Sequence, residues 1–436
     1  MYFVSKTVFL TQANKSLNYY YIYILNLEYF IAKRLISAKG YKSSISAPII
    51  KIAIAAIAIG MIMMIISVAT GIGLQKVIRQ KVSAFNGNII ISNYDGNQSE
   101  ISLEPISIHQ DFYPKFKNIS GISHVQAVAS KAGIIRTADA FEGIIFKGVG
   151  KDYKWDNIKE YLVSGKIPDI KGNVTTEVVI SKLLSNRLNL KVGDKFNTFF
   201  MKEETNKLPN QRIFKIAGIF DSGFQEFDAT YIIGDIRHLQ RINKWGPDQV
   251  GAFEVFVEDF NTIQSKGEEV YQQTNSSLDT KTIVEKFSYI FEWLQLFDFN
   301  IQFIIIIMII VSTINMVVAL LVLILERTQM IGILKSLGAN NWAVRKIFLY
   351  NSAYLISKGL FWGNLIGISI LLLQKKFEIL SFPNPEQYYS RIIPVDINIT
   401  YIILLNIGTI AVCLLILLIP SYIITKISPV KAIHFD

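Results

Sequence analysis

Three apolar runs in this chain are long enough to cross a bilayer, for which roughly 20 residues are required, and a fourth of similar length joins them. Residues 49–70 carry one charge, Lys51 near the start, where its ammonium can snorkel to headgroups. Residues 301–325 carry none, residues 350–373 only Lys358, and residues 399–425 none before Lys426. In hydrocarbon a backbone must satisfy its own polar groups, so each run is expected to be a transmembrane helix. With 51% hydrophobic and 18% charged residues the chain is too apolar for disorder, and its apolar residues are too unevenly clustered for one soluble core.

Where the charges lie gives the topology. The 44 basic and 34 acidic side chains leave a net charge of +10, and the positives collect beside the apolar runs. Ahead of the first run stand Lys6, Lys15, Lys33, Arg34, Lys39 and Lys42 against Glu28; between the second and third stand Arg327, Lys335, Arg345 and Lys346 against Glu326. By the positive-inside rule both segments are cytoplasmic, and four crossings return the C-terminus, with Lys426 and Lys431, to the same side. Zinc-finger, RNP and helix-turn-helix signatures are lacking, so a membrane surface accounts for the basic excess better than nucleic acid. The single cysteine, Cys413, excludes an internal disulfide, and His109, His124, His238 and His434 form no metal-ligand spacing; no cofactor is expected. Glu100, Glu104, His109 and Asp111 lie close together but match no ligand pattern and read as a solvated loop.

The far-side segment, residues 71–300, is long enough for a domain with its own core. It reads as mixed α/β: residues 88–93, 143–148, 177–181, 212–220, 229–233 and 253–258 have strand composition bounded by Gly, Asn and Asp, while 181–188 and 236–242 read as helices. Leu74, Val77, Ile78, Val82 and Phe85, and again Val284, Phe287, Ile290, Phe291 and Leu294, keep helical spacing. The first two membrane helices are therefore expected to continue outward as stalks; a helix over residues 49–85 would be about 55 Å long. Leu27, Phe30, Ile31 and Leu35 form an interfacial stripe beside Lys33 and Arg34. The run YYYIYIL at 19–25 is too short to span and has no cleavage site, so residues 1–26 are read as an extension. Asn315 and Asn364 are expected to hydrogen-bond between helices, Lys358 to snorkel, and Cys413 to be buried.

Residues 326–348 read ERTQMIGILKSLGANNWAVRKIF. Met330, Ile331, Leu334 and Leu337 make an apolar stripe, Gly338 stands where a left-handed helix stop is wanted, and Asn340 or Asn341 can cap the next helix. A short amphipathic helix in the cytoplasm needs a surface to bury that stripe, either headgroups or a groove on a partner protein.

This loop, together with EYFIAKRLISAKG, ATGIGLQ, QRIFKIAGIFDSG, PVDINI and SPVKAIHFD, resembles the FtsX-like permeases of ABC transporters, and among them the lipoprotein-releasing (LolC/LolE-like) permeases. The resemblance runs from about residue 27 to the end of the chain. It implies a bacterial inner-membrane protein with four transmembrane α-helices, both termini cytoplasmic, and a large periplasmic α/β (MacB-like) domain inserted between helices 1 and 2. It implies further that the loop is a coupling helix docking on a separate ABC ATPase subunit, with Glu326, Arg327, Ile331, Gly332, Leu334, Lys335, Gly338 and Ala339 as contacts. This chain has no GxxxxGK[ST] phosphate loop, so hydrolysis is assigned elsewhere and the chain is expected to be non-catalytic. The implied partners are that ATPase, a second permease copy or paralogue, a lipoprotein substrate, membrane lipid and a periplasmic lipoprotein carrier. The carrier would meet a hairpin at 197–211 through exposed Phe199, Phe200, Met201 and Pro209.

The layout expected is an extension at 1–26, an interfacial helix at 27–48, spans at 49–70, 301–325, 350–373 and 399–425, and stalks at 71–86 and 281–300. The α/β domain occupies 87–280, the coupling segment 326–349, a periplasmic loop 374–398 and a cytoplasmic tail 426–436. Two rival functions stand beside this one: a division-type FtsX-like regulator that passes ATPase motion to a cell-wall hydrolase, for which the outer domain is too large, and a MacB-like export permease, for which an outer-membrane tunnel component would be expected.

Overall fold

The computed structural model describes residues 27–37, 46–94, 99–138, 140–201 and 208–428. The N-terminal extension, the centre of the hairpin at 202–207 and all but the first residue of SPVKAIHFD lie outside the described residues. The chain forms two compact units, one from Met1–Ile72, Phe297–Phe377 and Val395–Asp436, the other from Gly73–Leu296 and Glu378–Pro394.

The first unit is helical: α1 (Leu27–Ser37), α2 (Ser46–Asn86), α3 (Ser288–Glu326), α4 (Thr328–Ser336), α5 (Asn341–Phe377) and α6 (Ile399–Ser421). Helices α2 and α3 each run unbroken into the second unit. Among the described residues four helices are long and apolar enough to cross a membrane, as expected. Their packing depends on small residues. On α5, Gly359, Gly363 and Gly367 recur every fourth position; a Cβ at Gly359 would lie 2.7 Å from the Ile57 Cβ, and one at Gly363 2.7 Å from the Met61 Cβ. Hydrocarbon offers no hydrophobic drive for helix association, so close backbone approach of this kind supplies the dispersion contact that holds α2 to α5. Ile57, Met61, Met316, Leu320, Phe348 and Leu355 belong to the core that results. Asn364 and Asn406 exchange amide hydrogen bonds of 2.7 and 3.0 Å between α5 and α6, as expected of Asn364. The Asn315 amide donates to the Val311 carbonyl of its own helix at 2.9 Å. The Lys358 ammonium lies exposed, 4.7 Å from the Tyr354 ring centroid.

The second unit is built on a sheet. Its strands are β1 (Ile89–Asn93), β2 (Ile106–Ser107), β3 (Ile122–Arg136), β4 (Phe141–Val149), β5 (Leu162–Gly165), β6 (Glu177–Ser181), β7 (Lys195–Phe200), β8 (Asn210–Phe220), β9 (Tyr231–Asp235), β10 (Gln249–Val250), β11 (Ala252–Val257) and β12 (Leu278–Thr282). Ten of them follow the order β12-β1-β11-β3-β4-β9-β6-β8-β5, with β7 bridging β3 and β8; β2 and β10 pair separately. Pairs β4·β9 and β6·β8 are parallel and the rest antiparallel. The six expected strands correspond to β1, β4, β6, β8, β9 and β11. Residues 281–300, expected as one stalk helix, are divided: β12 runs to Thr282, one turn covers Ile283–Lys286, and α3 begins at Ser288. Thr282 and Glu285 form a reciprocal capping box that ends the strand and opens the helix.

Candidate coupling loop

Helix α3 ends at Glu326, Arg327 takes a non-helical conformation (φ −106°, ψ 22°), and α4 starts one residue later. Helix α4 stops because Gly338 adopts φ +94°, a conformation that penalises any Cβ, and Asn340 then caps α5 by accepting from the Ala343 amide at 2.7 Å. The turn has the geometry its sequence calls for.

Burial corrects the expected set of contacts. Ile331 and Gly332 are buried, and Met330, Leu334 and Ala339 pack on the same helical core as Ile331. The amphipathic stripe is thus covered within the chain except at Leu337, and Ile331 and Gly332 are buried there. What α4 and its turn do present is Glu326, Gln329, Ile333, Ser336, Leu337 and Gly338, with Leu337 79% and Ile333 48% exposed. Lys335 is half-buried, and its ammonium donates to the main-chain carbonyls of Ile424 (2.6 Å), Ile427 (2.9 Å) and Thr425 (3.4 Å). Burial pushes its pKa below the ordinary lysine value. On the far arm of the turn, Arg345 donates to the Leu418 carbonyl (2.8 Å) and the Ser421 hydroxyl (3.0 Å), and Lys346 stands 3.7 Å from Glu28 of α1.

The outer end of α2 is fixed with equal care. Phe85 stacks on Phe227 at 5.2 Å and lies 5.5 Å from Phe220, while Gly87 (φ +69°) turns the chain into β1. Lys147, 3% exposed on β4, donates to the Phe85 carbonyl and to Glu254 of β11; the other Glu254 oxygen accepts from Gln126 at 2.8 Å. A cation thus meets the terminal carbonyls of the helix, where the macrodipole favours it. One turn below, Lys81 donates to the Tyr389 carbonyl at 3.0 Å, and the Tyr389 ring stacks on Phe224 at 4.6 Å. Burial depresses the Lys81 pKa to about 8, with Asp228 and Asp221 opposing the shift. The 378–394 segment, anchored further by Arg391 at 3.3 Å from Asp221, is therefore a clasp on the outer part of α2.

In the β7–β8 hairpin, Met201 and Pro209 are exposed and Phe199 is half-buried. Phe200 does not join them. It is fully buried, 6.0 Å from Phe146 and against Gly133, because successive residues of a strand face opposite sides of the sheet. The exposed apolar set is instead extended by Leu208 (85% exposed), just ahead of β8, by Ile213 of β8, and by Ile134 and Phe141 (76%) of the adjoining β3 and β4.

Two family models match this architecture: FtsX-like permease C-terminal over residues 302–429, and MacB-like periplasmic core domain over residues 52–286, more than half the chain. The chain belongs to the FtsX-like permeases that carry a MacB-like periplasmic core domain. The permease is 22% identical over 386 residues to the lipoprotein-releasing system transmembrane protein LolC of Buchnera aphidicola subsp. Schizaphis graminum, covering 87% of this chain and 92% of the relative. It is 20% identical over 434 residues to LolE of Haemophilus influenzae, covering 94% and 99%. A solved periplasmic region of MacB from Actinobacillus actinomycetemcomitans matches at 14% identity and TM-score 0.32, covering 45% of this chain and 88% of that one. The permease is an ABC transporter permease of the LolC/LolE type, a multi-pass protein of the inner membrane. Among its described residues, no group of His, Cys, Asp and Glu could hold a metal ion.

Two features of the permease escaped the sequence. The anchoring roles of Lys335 and Arg345 depend on where the end of α6 lies, and only Pro420, a helix breaker inside an apolar run, hinted that carbonyls there would want donors. Lys147 and Glu254 were visible as charges flanked by apolar residues in strands (FKG, FEV), a pattern that signals a buried pair.

Proposed function

We propose that this permease takes up the work of ATP hydrolysis by a separate ATPase subunit through residues 326–349 and uses it to release lipoproteins from the inner membrane toward a periplasmic carrier. The observation that carries the proposal is the solvent-facing Ile333–Leu337 edge of a helix whose opposite face is buried and pinned. A rigid element with a small apolar rim is what a docking groove can grip and displace. In this scheme the loop and both termini are cytoplasmic, and the ATPase contacts are Glu326, Gln329, Ile333, Leu337 and Gly338. Arg327, Leu334, Lys335 and Ala339 support the loop from within. Helices α2 and α3 act as levers, stiff because they run on without a break into the domain and because the Lys147 and Lys81 anchors fix the end of α2.

A second permease, identical or related, completes the transporter, and lipoprotein leaves between the two. Exposing acyl chains to water costs about 0.8 kcal/mol per CH₂, which is why the step needs an energy source. The carrier meets Phe199, Met201 and Pro209, together with Leu208 and Phe141. The full-length relatives named for lipoprotein release support this scheme over a wall-hydrolase regulator or a drug exporter. The test is Leu337→Asp: the permease should still insert, lose co-purification of the ATPase, and leave mature lipoproteins in the inner membrane. Retained co-purification, or normal lipoprotein sorting in cells depleted of the permease, contradicts the proposal.

A further inference from the structure

The fourth membrane helix is joined to the coupling loop only through the whole of α5 and the segment after it, yet the loop holds its end. Helix α6 contains Pro420, and the Tyr422 amide turns to the Ile419 carbonyl, so the Leu418 carbonyl loses its usual main-chain donor and accepts instead from the Ser421 hydroxyl at 2.8 Å, with room for a second donor. Arg345, in the first turns of α5, supplies a donor to that carbonyl at 2.8 Å and holds the Ser421 hydroxyl at 3.0 Å. Beyond the break, a last turn, Ile423–Lys426, ends the helix; its Ile424 carbonyl accepts a long bond of 3.4 Å from the Ile427 amide, and the carbonyls after it lie past the last helical donor. Lys335 fills that position from α4, one ammonium donating to the carbonyls of Ile424, Thr425 and Ile427. An ammonium has three donors, and a helix C-terminus carries partial negative charge, so the match is one of geometry as well as charge. The two cations come from the two arms of one turn and grip α6 on both sides of its break.

We infer that Lys335 and Arg345 are positioning residues that make the end of the fourth membrane helix part of the coupling loop, so that displacement of α4 reaches α6 as well as α3 and α5. This rests on the loop being the ATPase docking site. Without the grip, the ATPase would still bind the exposed rim and hydrolyse ATP, but its stroke would move two helices and leave the fourth behind.

The experiment uses the full-length permease reconstituted with its ATPase, partner permease and an acylated lipoprotein. Lys335→Met should leave the ATPase bound and hydrolysing while lipoprotein release falls by about tenfold or more, the scale of one lost charge-assisted hydrogen bond. Lys335→Arg, whose guanidinium also donates to carbonyls, should restore release. Unchanged release with Lys335→Met, or loss of ATPase binding in parallel with release, overturns the inference. Should Lys335→Met fail to insert, Arg345→Gln provides the same comparison, and hydrogen exchange of amides 422–427 in that variant should quicken about tenfold; unchanged exchange overturns the grip. Leu337→Asp separates the two ideas. If it keeps the ATPase bound, the docking reading fails, whereas the grip is judged from exchange alone.

Discussion

Replacing Lys147 by Met tests whether the outer end of α2 is welded to the sheet by charge. Lys147 is 3% and Glu254 4% exposed, so removing the ammonium leaves a carboxylate in the core with one amide, from Gln126, for company. An uncompensated buried charge of this kind costs roughly 3–5 kcal/mol. Glu254→Met strands the ammonium and costs a similar roughly 3–5 kcal/mol. The double variant removes both charges and leaves only the Phe85 carbonyl and the Gln126 amide short of partners, at roughly 1–3 kcal/mol. The singles are therefore expected to be non-additive by at least about 3 kcal/mol, as residues in one network are. The assay is hydrogen exchange of β4 and β11 amides in the detergent-solubilised full chain. Each single substitution should cut protection by about two to four powers of ten, and the double should recover most of it. Additive losses, or a single loss within the ±0.5 kcal/mol expected of a surface site, would refute the reasoning.

The Lys81 anchor gives an inverted pH dependence. Its pKa falls from 10.5 unfolded to about 8 folded, so between those values the unfolded chain binds more protons, and this group makes stability rise with pH by at most ~3 kcal/mol. Below about pH 8 both states are protonated and the full burial cost is present. Lys81→Met should remove that slope in thermal melts from pH 8 to 10; an unchanged slope contradicts the assignment. In the membrane unit, Gly363→Leu places a Cβ 2.7 Å from the Met61 Cβ and 2.9 Å from the Ala58 carbonyl. Backbone must move, costing roughly 1–3 kcal/mol despite better helix propensity, read as a lower unfolding midpoint; an equal or higher midpoint rules out the close α2–α5 contact.

Most of the helical unit was legible because hydrocarbon permits so few solutions: length and charge placement marked four helices, and Gly338 and Asn340 announced the turn between α4 and α5. The strands read most easily were those rich in Val, Ile and Phe, such as β6 and β9. Strand β3, the longest, was missed because ISHVQAVASKAGIIR mixes Ala, Ser, Gly and Lys into its alternation, and its place between β11 and β4 is set by neighbours far along the chain. The segment LDTKT, now β12, was partly assigned to a stalk helix because its capping box lies inside an apolar periodicity that continues past it. At the coupling loop the stripe was read correctly, but part of it is covered by the chain itself. Periodicity tells which face is apolar and is silent on whether the chain itself covers that face, so Ile331 was assigned outward when it is core.

The loop's encounter with an ATPase is tested most directly by a photo-cross-linking residue placed at Leu337 in living cells, with Ile331 as the internal comparison. A cross-link from Leu337 to the ATPase subunit, and none from Ile331, is the expected result. Cross-links from Leu337 to lipid or periplasmic proteins, with the ATPase absent, would contradict energy entry through this loop.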